Sequence, residues 1–303
     1  MNIELEHWLS QAFASAWLKT CPQRIPLARP HVVTLTTDFG LADHFVGAMK
    51  GVLLDVLPEI NIVDISHAVQ AFDVLDGALM ISEAYQYFPA GTVHMVVVDP
   101  GVGSDRRPIL ATVGEHYFVA PDNGVLSLVY ENAERISVRG ITSSHYFRQP
   151  VSSTFHGRDI FAPVAANLAK GVDPAKFGEE ITDYAAFAAP KPRTAPDGSL
   201  RGIVLKIDRF GNLLTNIRAE HAPHILGDNA MPFRIAIEQH EITDILGHYA
   251  QGAPGKLFGI MGSAGYLEIC SNRGSAAKLL GVGKGAEVSI RMEGAAAAGS
   301  PAR

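Results

Sequence analysis

From His31 onward, short β-branched runs alternate with segments of helical period, and three of the runs end in the same way. VVTLTT is followed by DFG, VHMVVV by DPGVG, and HYFVA by PDNG. Among them, LADHFVGAMKGVLLDVL and VLDGALMISEAYQYF carry apolar residues at helical spacing, and INIVDIS reads as a further strand. This alternation predicts an α/β domain with a largely parallel sheet. In open sheets of that class, ligands bind outside the carboxyl ends of the strands. One Asp-Gly turn says little, because both residues are ordinary turn formers. Three at equivalent strand ends point to a site along that edge.

The rest of the chain divides around this region. FAAPKPRTAPDGS, residues 187–199, is rich in proline and small residues and reads as a linker. Beyond it, RGIVLKID, LLTNIR, FRIAIE, YLEICSN and AEVSIRM are short alternating segments separated by turn signals. They predict a smaller, mostly antiparallel β domain, barrel- or sandwich-like. The expected organisation is therefore an extension over 1–30, an α/β domain over 31–186, the linker, a β domain over 200–292 and a frayed tail over 293–303. The extension carries both tryptophans, Trp8 and Trp17, at the spacing of a short amphipathic helix. Glu4 and Glu6 stand where a secretory signal would carry basic residues.

Composition narrows the functional classes. A net charge of -6 argues against a general nucleic-acid binder. No window approaches the ~18 continuous apolar residues of a membrane span. The two cysteines, Cys21 and Cys270, exclude a disulfide scaffold or a cysteine-rich zinc site and suit a reducing cytoplasm. GVGSDR lacks the third glycine of a dinucleotide fingerprint, and GVGKG near residue 281 lacks the strand-to-helix context. There is no P-loop, no GxSxG elbow and no HExxH. His221 and His224 form an H-x-x-H in a proline-containing loop that reads as surface.

A polar set remains. Asp38 follows the first strand, Asp99 and Arg106 flank the glycine turn of VVVDPGVGSDRRPI, and His156, Arg158 and Asp159 lie in STFHGRDIF. That glycine turn could be a polar connection, a phosphate cradle or the floor of an active site. Glycines 101 and 103 would let its backbone turn tightly. Gly157 to Asp159 read as the opening of a helix, whose free N–H groups favour nearby negative charge. Each residue alone has an ordinary structural use: an ion pair and cap for Arg158 and Asp159, a packed ring for His156, a loop-ordering salt bridge for Asp99 and Arg106.

Together the motifs form a pattern. TTDFG, DISH, FDVLDGA, VVDPGVGSDRR, PDNG, TFHGRDIF, DRFGNLLTNI and GSAGYLEICSNRGSAA occur in the order seen in the S-adenosylmethionine hydrolases. These are hydroxide adenosyltransferases, relatives of the fluorinating and chlorinating enzymes. The resemblance spans roughly Val32 to Val288. It implies attack at the ribose 5′ carbon of S-adenosylmethionine by water or halide, with methionine leaving, no cofactor and no metal. The products with water are adenosine and L-methionine, and the non-physiological R-sulfonium epimer is the substrate that the family favours. Its Asp-Arg-His set falls on Asp99, Arg106 and His156, either Asp99 or His156 being able to take the proton. Halogenases carry tyrosine at the position of Asp99, whose charge would repel a halide. The fluorinating enzyme also carries serine at Gly157.

The resemblance assigns binding roles too. Asp38 would accept the two ribose hydroxyls, with Phe72 lining the ribose and adenine pocket. Asn212 would bond the adenine edge, Phe210 would pack on the ring, and Asp208 would pair with the amino-acid ammonium. Ser263, Tyr266, Glu268 and Asn272 would serve the methionine or adenine end. Ala264 stands where halogenases place an arginine against the carboxylate, and Leu214 where the fluorinating enzyme has tryptophan. A homotrimer is implied, with the site between the α/β domain of one subunit and the β domain of its neighbour, and neither nucleic acid nor membrane is expected as a partner. Two competing readings are a halide-using adenosyltransferase and a non-catalytic adenosine or S-adenosylmethionine binding protein. The second has no use for Asp99, Arg106 and His156 together.

Overall fold

The computed structural model describes residues 31–131, 133–227 and 231–293, so the expected N-terminal helix and the tail beyond Glu293 lie outside the described residues. Within them the alternation read from the sequence is realised. Strands β1 (Val32–Thr37), β2 (Asn61–Ser66), β3 (Val93–Val97), β4 (Pro108–Val113), β5 (His116–Pro121), β6 (Ile136–Gly140) and β7 (Glu180–Ile181) form one sheet, ordered β2-β1-β3-β5-β4-β6-β7. The first four strands in that order pair in parallel. The remaining pairings, through β4 and β6, are antiparallel.

Strand alternation distributes apolar side chains to both faces. Val93, Met95 and Val97 face helices α1 (Phe45–Val56) and α4 (Ala162–Ala169). Val96 and Val98 face the opposite layer, built on α2 (Val74–Ala84) and α3 (Ser127–Glu131). Burial on both faces explains why the strands are near-continuous hydrophobic runs.

The C-terminal region forms a second sheet from β8 (Arg193–Thr194), β9 (Leu200–Ile207), β10 (Leu213–Arg218), β11 (Phe233–Ile237), β12 (His240–Ile242), β13 (Ile245–Leu246), β14 (Leu257–Met261), β15 (Tyr266–Ser271) and β16 (Glu287–Met292). Its pairings are antiparallel except between β13 and β14. The strands close over a core that includes Val204, Leu213, Ile235, Leu267 and Ile290. Helix α5 (Ala276–Leu280) is capped by Ser275 and stopped by Gly281 in the left-handed region, so GVGKG begins as a helix terminator. Leu79 and Leu128 of the first region pack with Leu205, Leu214 and Tyr266 of the second. The segment that joins them is docked as well: Phe187 N donates to Ser127 Oγ at 2.9 Å, and Pro190 O accepts from Asn216 Nδ2 at 3.1 Å.

Candidate active site

The three Asp-Gly strand ends are neighbours in space. They belong to β1, β3 and β5, adjacent in the parallel half of the sheet, so Asp38, Asp99 and Asp122 emerge along one carboxyl edge. Asp122 is structural: it binds Arg107 and accepts from Ala185 N at 2.7 Å. Asn123 of the same PDNG turn donates to Val98 O at 2.8 Å and so fixes the backbone just before Asp99.

Asp99, Arg106 and His156 meet. Arg106 grips Asp99 with two nitrogens, Nε to Oδ1 at 3.0 Å and Nη2 to Oδ2, and the pair's side chains are 9% and 4% exposed. The same Nη2 lies 2.8 Å from His156 Nδ1. A guanidinium only donates, so Nδ1 accepts and the imidazole proton sits on Nε2. Burial first, then the charge of Arg106, holds His156 below the ordinary histidine range, against opposing pulls from Asp99 and Asp159. Arg106 also lies over the Phe161 ring at 5.3 Å. Its Nη1 is buried and finds no protein acceptor.

The turn that carries Arg106 back to Asp99 is shaped by Ser104, whose Oγ donates to Gly101 O at 2.7 Å. Gly103 has φ +80, and a Cβ there would come within 2.3 Å of Ser153 O. Gly101 has no positive φ, and a Cβ there would meet Ser104 Oγ at 3.3 Å, a milder crowding. Gly103 is therefore the more strictly required glycine, and it makes room for the 151–154 loop. His156 precedes a π-helical turn, Gly157–Phe161, that runs into α4. Gly157 lets this turn sit against Met49, 2.9 Å from where a Cβ would fall. Arg158 and Asp159 form the expected ion pair, Nε to Oδ1 at 2.7 Å, and Asp159 also accepts from Ser152 N.

Asp38 and Phe72 also meet, Phe72 N donating to Asp38 Oδ2 at 2.9 Å. Phe72 is 72% exposed.

Asp208, Phe210, Asn212 and Asn272 form a third group around a cavity of about 600 Å³ whose lining comes entirely from the β region. Asp208 accepts from the backbone N–H of Phe210 and of Asn212 and from Asn212 Nδ2, all at 2.8 Å. Asn272 donates to Gly252 O at 2.7 Å. Tyr249 lines this cavity and donates to Glu268 Oε2 at 3.0 Å. Burial pushes the Glu268 carboxyl up, and the charge of Asp208 adds to that effect while the Tyr249 bond opposes it. No motif marks Tyr249 in the sequence.

Ser263 and Tyr266 do not join that group. They line a different cavity, of about 400 Å³, between the two regions, with Ala264, Glu83 and Arg218. Tyr266 is 6% exposed, lies under the Arg218 guanidinium at 4.2 Å, and its hydroxyl accepts from Arg218 Nη2.

Fold and site together define a two-domain α/β protein with a carboxylate–guanidinium–imidazole constellation at the carboxyl edge of an open sheet. Residues 33–178 match the SAM hydroxide adenosyltransferase N-terminal domain and residues 202–289 its C-terminal domain, and the chain belongs to that family. It is 38% identical over 259 residues to an (R)-S-adenosyl-L-methionine hydrolase of Salinispora tropica, covering 84% of this chain and 95% of the relative. A protein of the same name from Methanocaldococcus jannaschii is 35% identical, covering 83% and 92%. A fluorinase of Nocardia brasiliensis is 26% identical, covering 87% and 98%. A crystal structure of a conserved Thermotoga maritima protein superposes with a TM-score of 0.78 at 36% identity, covering 86% of this chain and all of the other.

Proposed function

We infer that the protein hydrolyses S-adenosyl-L-methionine at the ribose 5′ carbon to give adenosine and L-methionine. The observation that carries this reading is the Asp99–Arg106–His156 contact in a chain of this family. The sulfonium is already a good leaving group, so the protein's task is to place one water in line with the C5′–S bond. Water's lone pair forms the C5′–O bond, the C5′–S electrons stay on sulfur as the neutral thioether, and one water proton is released. Asp99 is the acceptor for that proton, since each carboxylate oxygen has a lone pair beyond those used by Arg106. His156 orients the water by donating from Nε2. It does not take the proton, because its Nδ1 lone pair is used by Arg106.

Asp38 and Phe72 hold the ribose, and Asn212, Phe210 and Asn272 hold the adenine, beside Asp208 at the amino-acid end. Phe72 and Phe210 are 72% and 77% exposed, and the cavity at Asn212 is lined from one side only. Such half-sites support a site shared between subunits, as in the homotrimer the resemblance implies, in which the β region of one subunit closes over the α/β region of the next. Light scattering that found a fully active monomer would remove this arrangement. Among the described residues no helix is long and apolar enough to cross a membrane, and a reducing cytoplasm is the compartment proposed.

The relatives' name makes the R epimer the proposed substrate. Incubation with each sulfonium epimer, with and without chloride or fluoride, followed by chromatography tests the whole reading. Adenosine formation, faster from the R epimer, is expected. A 5′-halogenated nucleoside, or no turnover despite binding, would replace it with one of the two competing functions.

A further inference from the structure

The loop Gln70–Asp73 between β2 and α2 is built in an unusual way. Phe72 adopts φ +64, a left-handed conformation for a residue with a bulky side chain. Such a conformation persists only where the surroundings over-determine it. Here two carboxylates do so. Asp76 accepts from Gln70 N at 2.8 Å, and Asp73 caps α2 by accepting from Asp76 N at 3.1 Å. Phe72 N is then presented to Asp38.

Both carboxylates are completed from the other region of the chain. Lys206, at the end of β9, pairs with Asp76, whose side chain is 8% exposed. Lys284 pairs with Asp73. Without Lys206, Asp76 would be a buried carboxylate facing only one backbone donor, a state that chains relieve by rearranging or by taking up a proton. Either response would loosen its hold on Gln70 N.

We propose that Lys206 is a positioning residue for substrate binding. Acting through Asp76, it fixes the Gln70–Asp73 turn that sets Phe72 beside Asp38. The inference rests on the reading that Asp38 and Phe72 hold the ribose. Lys206 touches no substrate in this account, so its effect is on affinity and not on the breaking bond. The β region thus shapes the ribose half-site of its own chain while carrying an adenine half-site of its own.

Steady-state kinetics of Lys206→Met and Lys206→Arg, beside Asp38→Ala, test the proposal. In Lys206→Met, KM is expected to rise about tenfold with kcat within about twofold, and Lys206→Arg should restore most of the loss. Lys284→Met, at a more exposed pair, should act in the same direction and more weakly, and gives the answer if Lys206→Met does not fold. A lowered Tm with unchanged KM would show that these pairs only join the domains, and would overturn the proposal. A raised KM in Asp38→Ala with unchanged KM in both lysine variants would sink the positioning role alone. An unchanged KM in Asp38→Ala would sink the ribose reading beneath it.

Discussion

Nη2 of Arg106 stands 2.8 Å from Nδ1 of His156 while the same guanidinium grips Asp99. One cation therefore orders both residues proposed to hold the attacking water. It orients the carboxylate, and it makes protonation of the imidazole unfavourable by charge and by occupying its free lone pair. In the proposed role His156 acts as the neutral ring, and burial together with Arg106 extends that form below the usual histidine range. Activity should stay level as pH falls from 8 through the ordinary histidine range and decline only beneath it. Replacing Arg106 by Met removes one of the two depressing influences, so the acid limb of kcat/KM should move to higher pH, alongside a large fall in kcat. pH–rate profiles of both proteins check this, and an unmoved acid limb would exclude His156 as the titrating group.

Asp38 is held at the end of β1 and has one oxygen engaged by Phe72 N. Its proposed partners are two hydroxyls remote from the breaking bond. Hydrogen bonds to a charged acceptor are worth about 1.5–3 kcal/mol each. Losing even one of these bonds corresponds to roughly 10- to 100-fold, so Asp38→Ala should raise KM by at least that much and change kcat much less. Initial-rate measurements over a wide substrate range give the split.

How much of this was legible in the sequence depends on how local each signal is. The three Asp-Gly strand ends were readable because turn chemistry is written in adjacent residues, and their neighbourhood followed from the parallel topology. Strands β4 and β6 were not readable. PILATV and ISVRG acquire strand character from antiparallel pairing with each other and with β5. The apolar run of strand β14, LFGIM, is broken in sequence by Gly259, where a Cβ would meet Ile245 at 3.1 Å. Ser263 and Tyr266 share a short signature with Asn272, yet the six steps of chain from Tyr266 to Asn272 cover about 20 Å when extended. A single signature thus reaches two cavities. Tyr249 lay in no motif, and only the folded loop brings it to Glu268.

Gly103 offers a test of the turn itself. Its φ of +80 is disfavoured for other residues, and Ser153 O leaves no room for a Cβ. Gly103→Ala should destabilise the fold by about 1–3 kcal/mol and reduce activity, because the turn returns Arg106 to Asp99. Gly101→Ala should cost less, since its φ is not positive and its Cβ would meet only the Ser104 hydroxyl, at 3.3 Å. Urea denaturation of the two variants makes the comparison.

His94 predicts how the fold responds to acid. It is fully buried, accepts or donates at Thr34 Oγ1 at 2.8 Å, and stacks on Phe118. Burial, helped by the His116 ring, holds it down to about 3. Above pH 6.5 the ring is neutral in both folded and unfolded chains and contributes no pH dependence. As pH falls below 6.5 the unfolded chain binds a proton that the folded one refuses, so stability is lost progressively toward pH 3. From pH 8 to pH 5 the loss from this residue should be about 2 kcal/mol. In His94→Gln the slope should be shallower, with a remainder from His116, which burial also depresses. An equally steep acid loss in the variant would show that other groups carry it.

The last prediction concerns the water. If Asp99 accepts its proton and His156 donates to it, the two act on one molecule. Asp99→Asn keeps the size and one hydrogen-bond acceptor but loses the charge that favours proton acceptance, so substrate binding should persist while kcat falls by about 10²- to 10⁴-fold. His156→Ala should lower kcat in the same direction, with a smaller effect because orientation is lost and not basicity. The double variant should lose less than the product of the two single losses, since a water no longer accepted by Asp99 gains little from being oriented. Binding measured by calorimetry and turnover measured by adenosine release separate the two quantities. Multiplicative losses would mean that the residues act independently. Full activity in Asp99→Asn at normal affinity would reduce the Asp99–Arg106 pair to a brace for the turn.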